Sequence, residues 1–183
     1  MLIVLNASPY HLGKQGEREA VLAQRAAETS LPVIYAHMVG GQDELIFDGG
    51  SFALNVGGQV AARAASFQAS LVTVTAEKQG DAVHLAGEVK AIEQDNATLW
   101  SALVLGVRDY VSKNGFPGAL LGLSGGIDSA LVLAIAVDAL GKDRIRTVMM
   151  PSPYTADISW KDAQEMADRV GVRHDVIDIA PQF

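Results

Sequence analysis

Cysteine is absent from all 183 residues, which excludes a disulfide framework, a thiolate nucleophile and any Cys-based zinc site within them. The absence agrees with a reducing compartment, so the cytoplasm is the expected location. Runs of Lys or Arg are also missing, and the formal net charge is −7. Neither nucleic acid nor an anionic membrane is therefore an expected partner of the surface as a whole. A local anion site made of backbone N–H groups would leave no trace in that count. Long apolar runs are scarce as well. Met1 to Leu5 are apolar with no basic stretch before them, too short for the apolar region of a secretory signal. Ala130 to Val137 is bounded by Asp128 and Asp138, which argues against a membrane span.

What is present is an ordinary globular composition, 49% hydrophobic and 19% charged, with 18 glycines spread along the chain. That apolar share is enough for a real core, and the dispersed glycines predict tight turns.

The pattern predicts two halves of different character. Met1 to Ala7 reads as a buried strand, Gly16 to Glu28 as a helix rich in Ala, Glu, Gln and Arg, and Pro32 to Val39 as a second strand stopped by Gly40-Gly41. Three short extended segments follow, Glu44 to Phe47, Ser51 to Asn55 and Gln59 to Ala64. Asp48-Gly49-Gly50 and Gly57-Gly58 between them resemble hairpin turns, predicting a β-meander. Leu71 to Thr75 alternates as a further strand, and residues 80 to 87 read as a polar loop around a short extended Val83-His84-Leu85. A junction is expected at residues 87–96, between units at 1–86 and 97–183.

The second half is more regular. Ala97 to Ser112 carries Leu99, Ala102, Leu103, Val107 and Tyr110 at helical spacing and ends at Asn114-Gly115 and Pro117. Strands are predicted at Ala119 to Leu123, Ile145 to Met150 and His174 to Ile179. Helices are predicted from Asp128 to Leu140, closed by Gly141, and from a Ser159 cap to Val170, closed by Gly171. A β-loop-α-β-α-β order with short connections predicts a parallel, doubly wound sheet.

The chemistry concentrates where the first of these strands enters its helix, at Ser124-Gly125-Gly126-Ile127-Asp128-Ser129. Adjacent glycines permit positive φ and close backbone approach to a ligand. Unpaired N–H groups and the helix dipole then favour a phosphate. Ser124 and Ser129 add hydroxyl donors. Asp128 would repel phosphates unless it holds a cation, which makes it a candidate Mg²⁺ ligand. The loop lacks the Lys of a Walker sequence, and Gly122 to Gly126 has the wrong spacing for a dinucleotide fingerprint. Two rivals stay open. Gly122-Leu123-Ser124-Gly125-Gly126 also satisfies Gly-x-Ser-x-Gly, a nucleophile elbow in which Ser124 attacks an acyl group and His174 serves as base. The glycines could equally mark a tight turn and nothing more. His11, His37 and His84 show no ligand spacing together.

SGGIDS resembles the SGGxDS loop of the ATP pyrophosphatases, which cleave ATP between its α and β phosphates. Val148-Met149-Met150-Pro151-Ser152, Tyr154-Thr155 and Ser159 to Gly171 resemble the NAD synthetase branch of that group. Leu5 to His11, Gly13-Lys14, Val39 to Glu44 and Phe47 to Ser51 resemble the later part of a nitrilase-type glutaminase. A glutaminase of that type fused ahead of an SGGxDS ligase is the arrangement of glutamine-dependent NAD synthetases.

The resemblance implies an α/β chain: the C-terminal part of a nitrilase-like αββα sandwich, followed by the first half of a Rossmann-like, doubly wound parallel-sheet ATP-pyrophosphatase domain. It implies an amide-forming ligase that uses ATP and Mg²⁺ to convert deamido-NAD to NAD with ammonia from glutamine, through an adenylate, in a homo-oligomeric full-length enzyme. Gly122, Leu123, Ser124, Gly125, Gly126, Ile127, Asp128, Ser129 and Met150 would bind ATP, with Asp128 on the metal. Ser8 and Lys14 would bind glutamine. The family's glutaminase triad includes a Cys upstream of the segment that resembles Asn6-Ala7-Ser8, so no catalytic residue of that triad is expected here. The chain is expected to be an internal piece of a longer enzyme, cut within both sheets.

Overall fold

The computed structural model describes residues 1–182. It is a mixed α/β chain that divides into two compact units, Met1–Gly106 and Val107–Phe183.

In the first unit, a four-stranded sheet runs in the order β1 (Leu2–Asn6), β2 (Val33–His37), β5 (Phe52–Leu54), β6 (Val60–Arg63). β1 and β2 are parallel, and the other pairings are antiparallel. Helix α1 (Lys14–Thr29) supplies the β1–β2 crossover. Its buried positions Gln15, Arg18 and Ala26, with half-buried Leu22, recur at helical spacing and define one face. That face meets Val33, Tyr35, Phe52 and Leu54. Tyr35 stacks on Phe52 with ring centroids 5.0 Å apart. Glu19 of α1 receives both Nε and Nη2 of Arg63 at 2.7 and 2.8 Å, a two-point clamp from helix to β6.

The opposite face of β5 and β6 is covered by a hairpin of β7 (Val74–Gln79) and β8 (Ala82–Gly87), with Leu85 fully buried against Ala53 and Ala62. β8 comes so close that a Cβ at Gly87 would lie 2.9 Å from Ala62 Cβ. A second hairpin, β3 (Val39–Gln42) and β4 (Leu45–Asp48), forms its own two-stranded sheet. Phe67, Ala102 and Leu105 pack with Val39, Ile46 and Tyr10 beside it, so the first turns of helix α2 (Asp95–Lys113) belong to this core.

The second unit alternates β9 (Ala119–Gly122), α3 (Ile127–Leu140), β10 (Ile145–Met149), α4 (Asp157–Val170) and β11 (Arg173–Val176). The three strands are parallel with β10 central. Leu133 of α3, Ala163 and Ala167 of α4 and Thr147 of β10 are all fully buried. Gly141 and Gly171 end the two helices with φ of 80° and 76°, each donating its N–H to the carbonyl four residues back. Among the described residues no helix is long and apolar enough to cross a membrane.

Several expectations are corrected. The first strand is not buried: it is the sheet's end strand, with Ile3 64% and Leu5 81% exposed. Among the described residues, α1 covers the face that carries Val4, while Ile3 and Leu5 lie on the other. Gly40-Gly41 does not stop a strand; both lie inside β3, paired with Phe47 and Ile46. The β-meander does not form, because β4 turns back on β3 while β5 joins β2. Asp48-Gly49-Gly50 thus carries the chain from one sheet to another. Gly57-Gly58 does sit in a hairpin. Leu71 is 99% exposed and outside any strand, and residues 82–87 form a full strand rather than a loop. Ser159 is no helix cap, since α4 starts at Asp157 after an extended Ala156.

Candidate functional site

The Gly-rich loop lies between β9 and α3. Leu123 is buried and donates its N–H to Val148 O at 2.9 Å, anchoring the loop's first residue to β10. Ser124 then turns outward. Its Oγ lies 3.1 Å from Ser129 Oγ and accepts the Gly126 N–H at 3.3 Å, while Ser129 Oγ donates to Gly126 O at 2.9 Å. The two serines therefore brace the turn internally. Gly125 has φ of +80°, and a Cβ there would sit 2.3 Å from Ser159 O and 2.8 Å from Ser159 Cα. Only glycine lets the loop rest on the first turn of α4. Gly126 has φ of −88°, and a Cβ there would meet nothing nearer than Ser124 Oγ at 3.5 Å.

α3 has no side-chain cap. Its first N–H groups, at Ile127, Asp128 and Ser129, have no acceptor within the helix and face outward with the positive end of the helix dipole. Asp128 is exposed in this first turn and makes no ion pair or hydrogen bond among the described residues. Ile127 is 81% exposed. Gly122, Leu123 and Ser124 line a cleft of about 400 Å³ with Val148, Met149, Met150 and Thr155. Loop and Met150 are thus brought to one concavity at the C-terminal ends of β9 and β10, where open parallel sheets bind ligands. Thr155, part of the resembling segment but not among the expected ATP contacts, also lines the cleft. Its Oγ1 accepts the Ser152 N–H at 2.9 Å, and the Ser-x-x-Thr spacing was the available signal. Preformed N–H donors plus one free carboxylate fit a phosphate with its counter-cation. Among the described residues, however, no group of three or more His, Cys, Asp or Glu could hold a metal alone.

Among the described residues, the base expected for the nucleophile elbow does not lie beside Ser124. His174 lies within β11, its Nδ1 2.8 Å from Thr147 Oγ1, and it lines a groove with Trp160, Gln164 and Asp168. Ser124 is not on that groove.

The first unit places Ser8 and Lys14 differently. Lys14, at the start of α1, reaches Glu17 at 3.2 Å and lines a small cleft of about 50 Å³ with Tyr10, Asp48 and Thr98. Ser8 is not on that cleft but belongs to a buried polar cluster beside it. Arg18 Nε donates to Ser8 Oγ at 3.1 Å, Nη2 to Ser8 O at 3.0 Å, and Nη1 to Asp48 Oδ2 at 2.7 Å. Ser8 N–H donates to His37 Nε2 at 3.2 Å, and the His37 N–H donates to Ser51 Oγ at 2.9 Å. The side chains of Arg18, Asp48 and His37 are at most 5% exposed. Because Nε2 accepts, the neutral ring carries its proton on Nδ1, 3.9 Å from Asp48 Oδ1. That is too long for a hydrogen bond, and both atoms lack a partner. Burial holds the His37 imidazole below its ordinary pKa; the Arg18 guanidinium pushes the same way and Asp48 opposes. Arg18 and Asp48 were not singled out from sequence. His11 and His84 are exposed and sit apart from this cluster, each bonding the carbonyl of its next residue.

Residues 99–183 match the family described as NAD synthase. Over 98% of this chain the fold superimposes on glutamine-dependent NAD+ synthetase from Acinetobacter baumannii, solved in complex with ADP, with TM-score 0.90 and 44% identity, covering 34% of that chain. The Synechocystis glutamine-dependent NAD(+) synthetase is 45% identical over 99% of this chain and 32% of its own length. The Xylella fastidiosa protein of the same name is 47% identical over 100% of this chain and 34% of its own. Along its whole length the chain is similar to glutamine-dependent NAD(+) synthetases, and it spans about a third of the length of the curated relatives it matches.

Proposed function

We propose that the protein carrying this segment amidates deamido-NAD to NAD with ammonia from glutamine, forming an adenylate and releasing AMP and pyrophosphate. The observation that carries this reading is the β9–loop–α3 junction: outward N–H groups, a free Asp128 and a cleft reaching Met150, in a chain similar along its whole length to proteins named glutamine-dependent NAD(+) synthetase. In this reading residues 1–86 are the later part of a nitrilase-like αββα glutaminase, 87–96 a linker, and 97–183 the first half of a Rossmann-like ligase domain. Gly122 to Ser129 hold the ATP phosphates, Met150 flanks the adenine, and Ser8 and Lys14 hold glutamine. Asp128 would hold Mg²⁺, which supplies charge neutralisation at the phosphates. The loop's own N–H groups are fixed in place before reaction and stabilise charge developing on the leaving pyrophosphate. The enzyme is a cytoplasmic homo-oligomer.

The test supplies deamido-NAD and MgATP with either glutamine or ammonium. NAD, AMP and pyrophosphate in equal amounts are expected. Release of ADP and phosphate, or turnover independent of deamido-NAD, overturns the proposal.

A further inference from the structure

We infer that Arg18 and Asp48 are positioning residues for substrate recognition: they hold Ser8 so that its hydroxyl proton is offered to an acceptor oxygen, the α-carboxylate of a free amino acid. The inference rests on the reading above that Ser8 contacts glutamine, and it says which atoms meet and what keeps them in place.

A buried ion pair is poor evidence of stabilisation, because desolvation of both charges offsets their attraction. Here the cluster also leaves Asp48 Oδ1 and His37 Nδ1 without partners, each an added cost. Packing alone gives no reason for such a group. Its geometry gives one. The three donating nitrogens of the guanidinium lie in one plane. Two of them take Ser8, at its hydroxyl and its carbonyl, and the third is tied to Asp48. His37 takes the Ser8 N–H. Every backbone group of Ser8 and one lone pair of its Oγ are thereby engaged by Arg18 of α1 and His37 of β2, with Asp48 of β4 holding Arg18 in turn.

What Ser8 keeps is its O–H proton and one lone pair. A cationic donor on the first lone pair draws density from the oxygen and makes the O–H a stronger donor. It also disfavours a second cation at the remaining lone pair. A carboxylate oxygen suits this group, whereas an α-ammonium does not. His37 Nε2, 3.5 Å from Ser8 Oγ, already accepts the Ser8 N–H and competes weakly for the proton. Asp48 has a further part. It lines the cleft that Lys14 also lines, so the carboxylate that anchors Arg18 sits in the same neighbourhood as the second glutamine-binding candidate.

The experiment compares Ser8→Ala, Arg18→Lys, Arg18→Met and the double variant Ser8→Ala/Arg18→Lys in the full-length protein, driven separately by glutamine and by ammonium. Arg18→Lys keeps a charge for Asp48 but loses the planar fork on Ser8, so it answers the question if Arg18→Met does not fold. For Ser8→Ala and Arg18→Lys alike, KM for glutamine is expected to rise about tenfold, with kcat and the ammonium-driven rate within about threefold of wild type. The double variant is expected to be no worse than either single change, because both remove one contact. A normal KM in Arg18→Lys beside a raised KM in Ser8→Ala overturns the positioning role, as do multiplicative effects in the double variant. A normal KM in Ser8→Ala overturns the underlying assignment of Ser8 to glutamine.

Discussion

The two candidate sites are built from different materials. In the second unit the main chain does most of the work: N–H groups at the head of α3, two glycines, and serines that brace the turn. In the first unit the main chain is held in place by side chains, with a buried guanidinium and imidazole gathered on one serine and a carboxylate behind the guanidinium. A backbone site needs particular residues only where φ or close approach demands them. A side-chain site needs every member and carries a desolvation cost for each. The two should therefore fail in different ways, and the following measurements separate them.

The largest effect is expected from Asp48→Ala. It leaves Arg18 buried without its counter-charge and should cost about 3–5 kcal/mol of stability, read by urea unfolding. A loss below about 1 kcal/mol would mean that the cluster relaxes into solvent, and the contrast between the sites would collapse. Next comes Gly125→Ala. Positive φ and a clash with the Ser159 backbone should together cost about 3 kcal/mol. Gly126→Ala, with negative φ and open space, should cost less than about 1 kcal/mol. Equal losses at the two glycines would show that the loop does not rest on α4 as described.

The third effect is pH dependence, and it belongs to the first unit. His37 has a depressed folded-state pKa, so the unfolded chain binds the proton more readily. The stability His37 contributes is fully present above its ordinary value near 6.5, and it is lost as pH falls from there through the lower folded-state value. The urea midpoint should drop between about pH 7.5 and about pH 5.5, and drop less in His37→Gln. An identical slope in the variant would assign the pH dependence to other groups. The smallest effect is expected from Ser159→Ala. It should change stability by under about 0.5 kcal/mol, whereas loss of a true helix cap would cost about 1 kcal/mol.

The same contrast explains what could be read from the sequence. The loop was legible because glycines at fixed spacing between an apolar strand and a helix are a local signal, and β9, α3, β10 and α4 followed from periodicity around it. The Arg18 cluster was not, because its members come from four separate segments and Arg18 is one of several charges on a polar helix. Ser8 was found through resemblance, and its environment was not. Only Val74 and Thr75 of β7 were legible, because Ala76, Glu77, Lys78 and Gln79 are weak strand formers, held extended by pairing with β8. Met1 to Ala7 reads as a buried strand because apolarity reports a preference for burial, not the presence of a neighbour to supply it.

The contact of Gly125 with Ser159 leaves an uneven mark on how this segment can drift. The loop meets the carbonyl and Cα of residue 159, atoms that nearly every amino acid provides, so position 159 can change its side chain freely while position 125 cannot. Pairwise covariation would miss such a contact, since one partner never varies and the other varies without consequence. Its trace in a set of relatives would be one invariant column facing an unremarkable one.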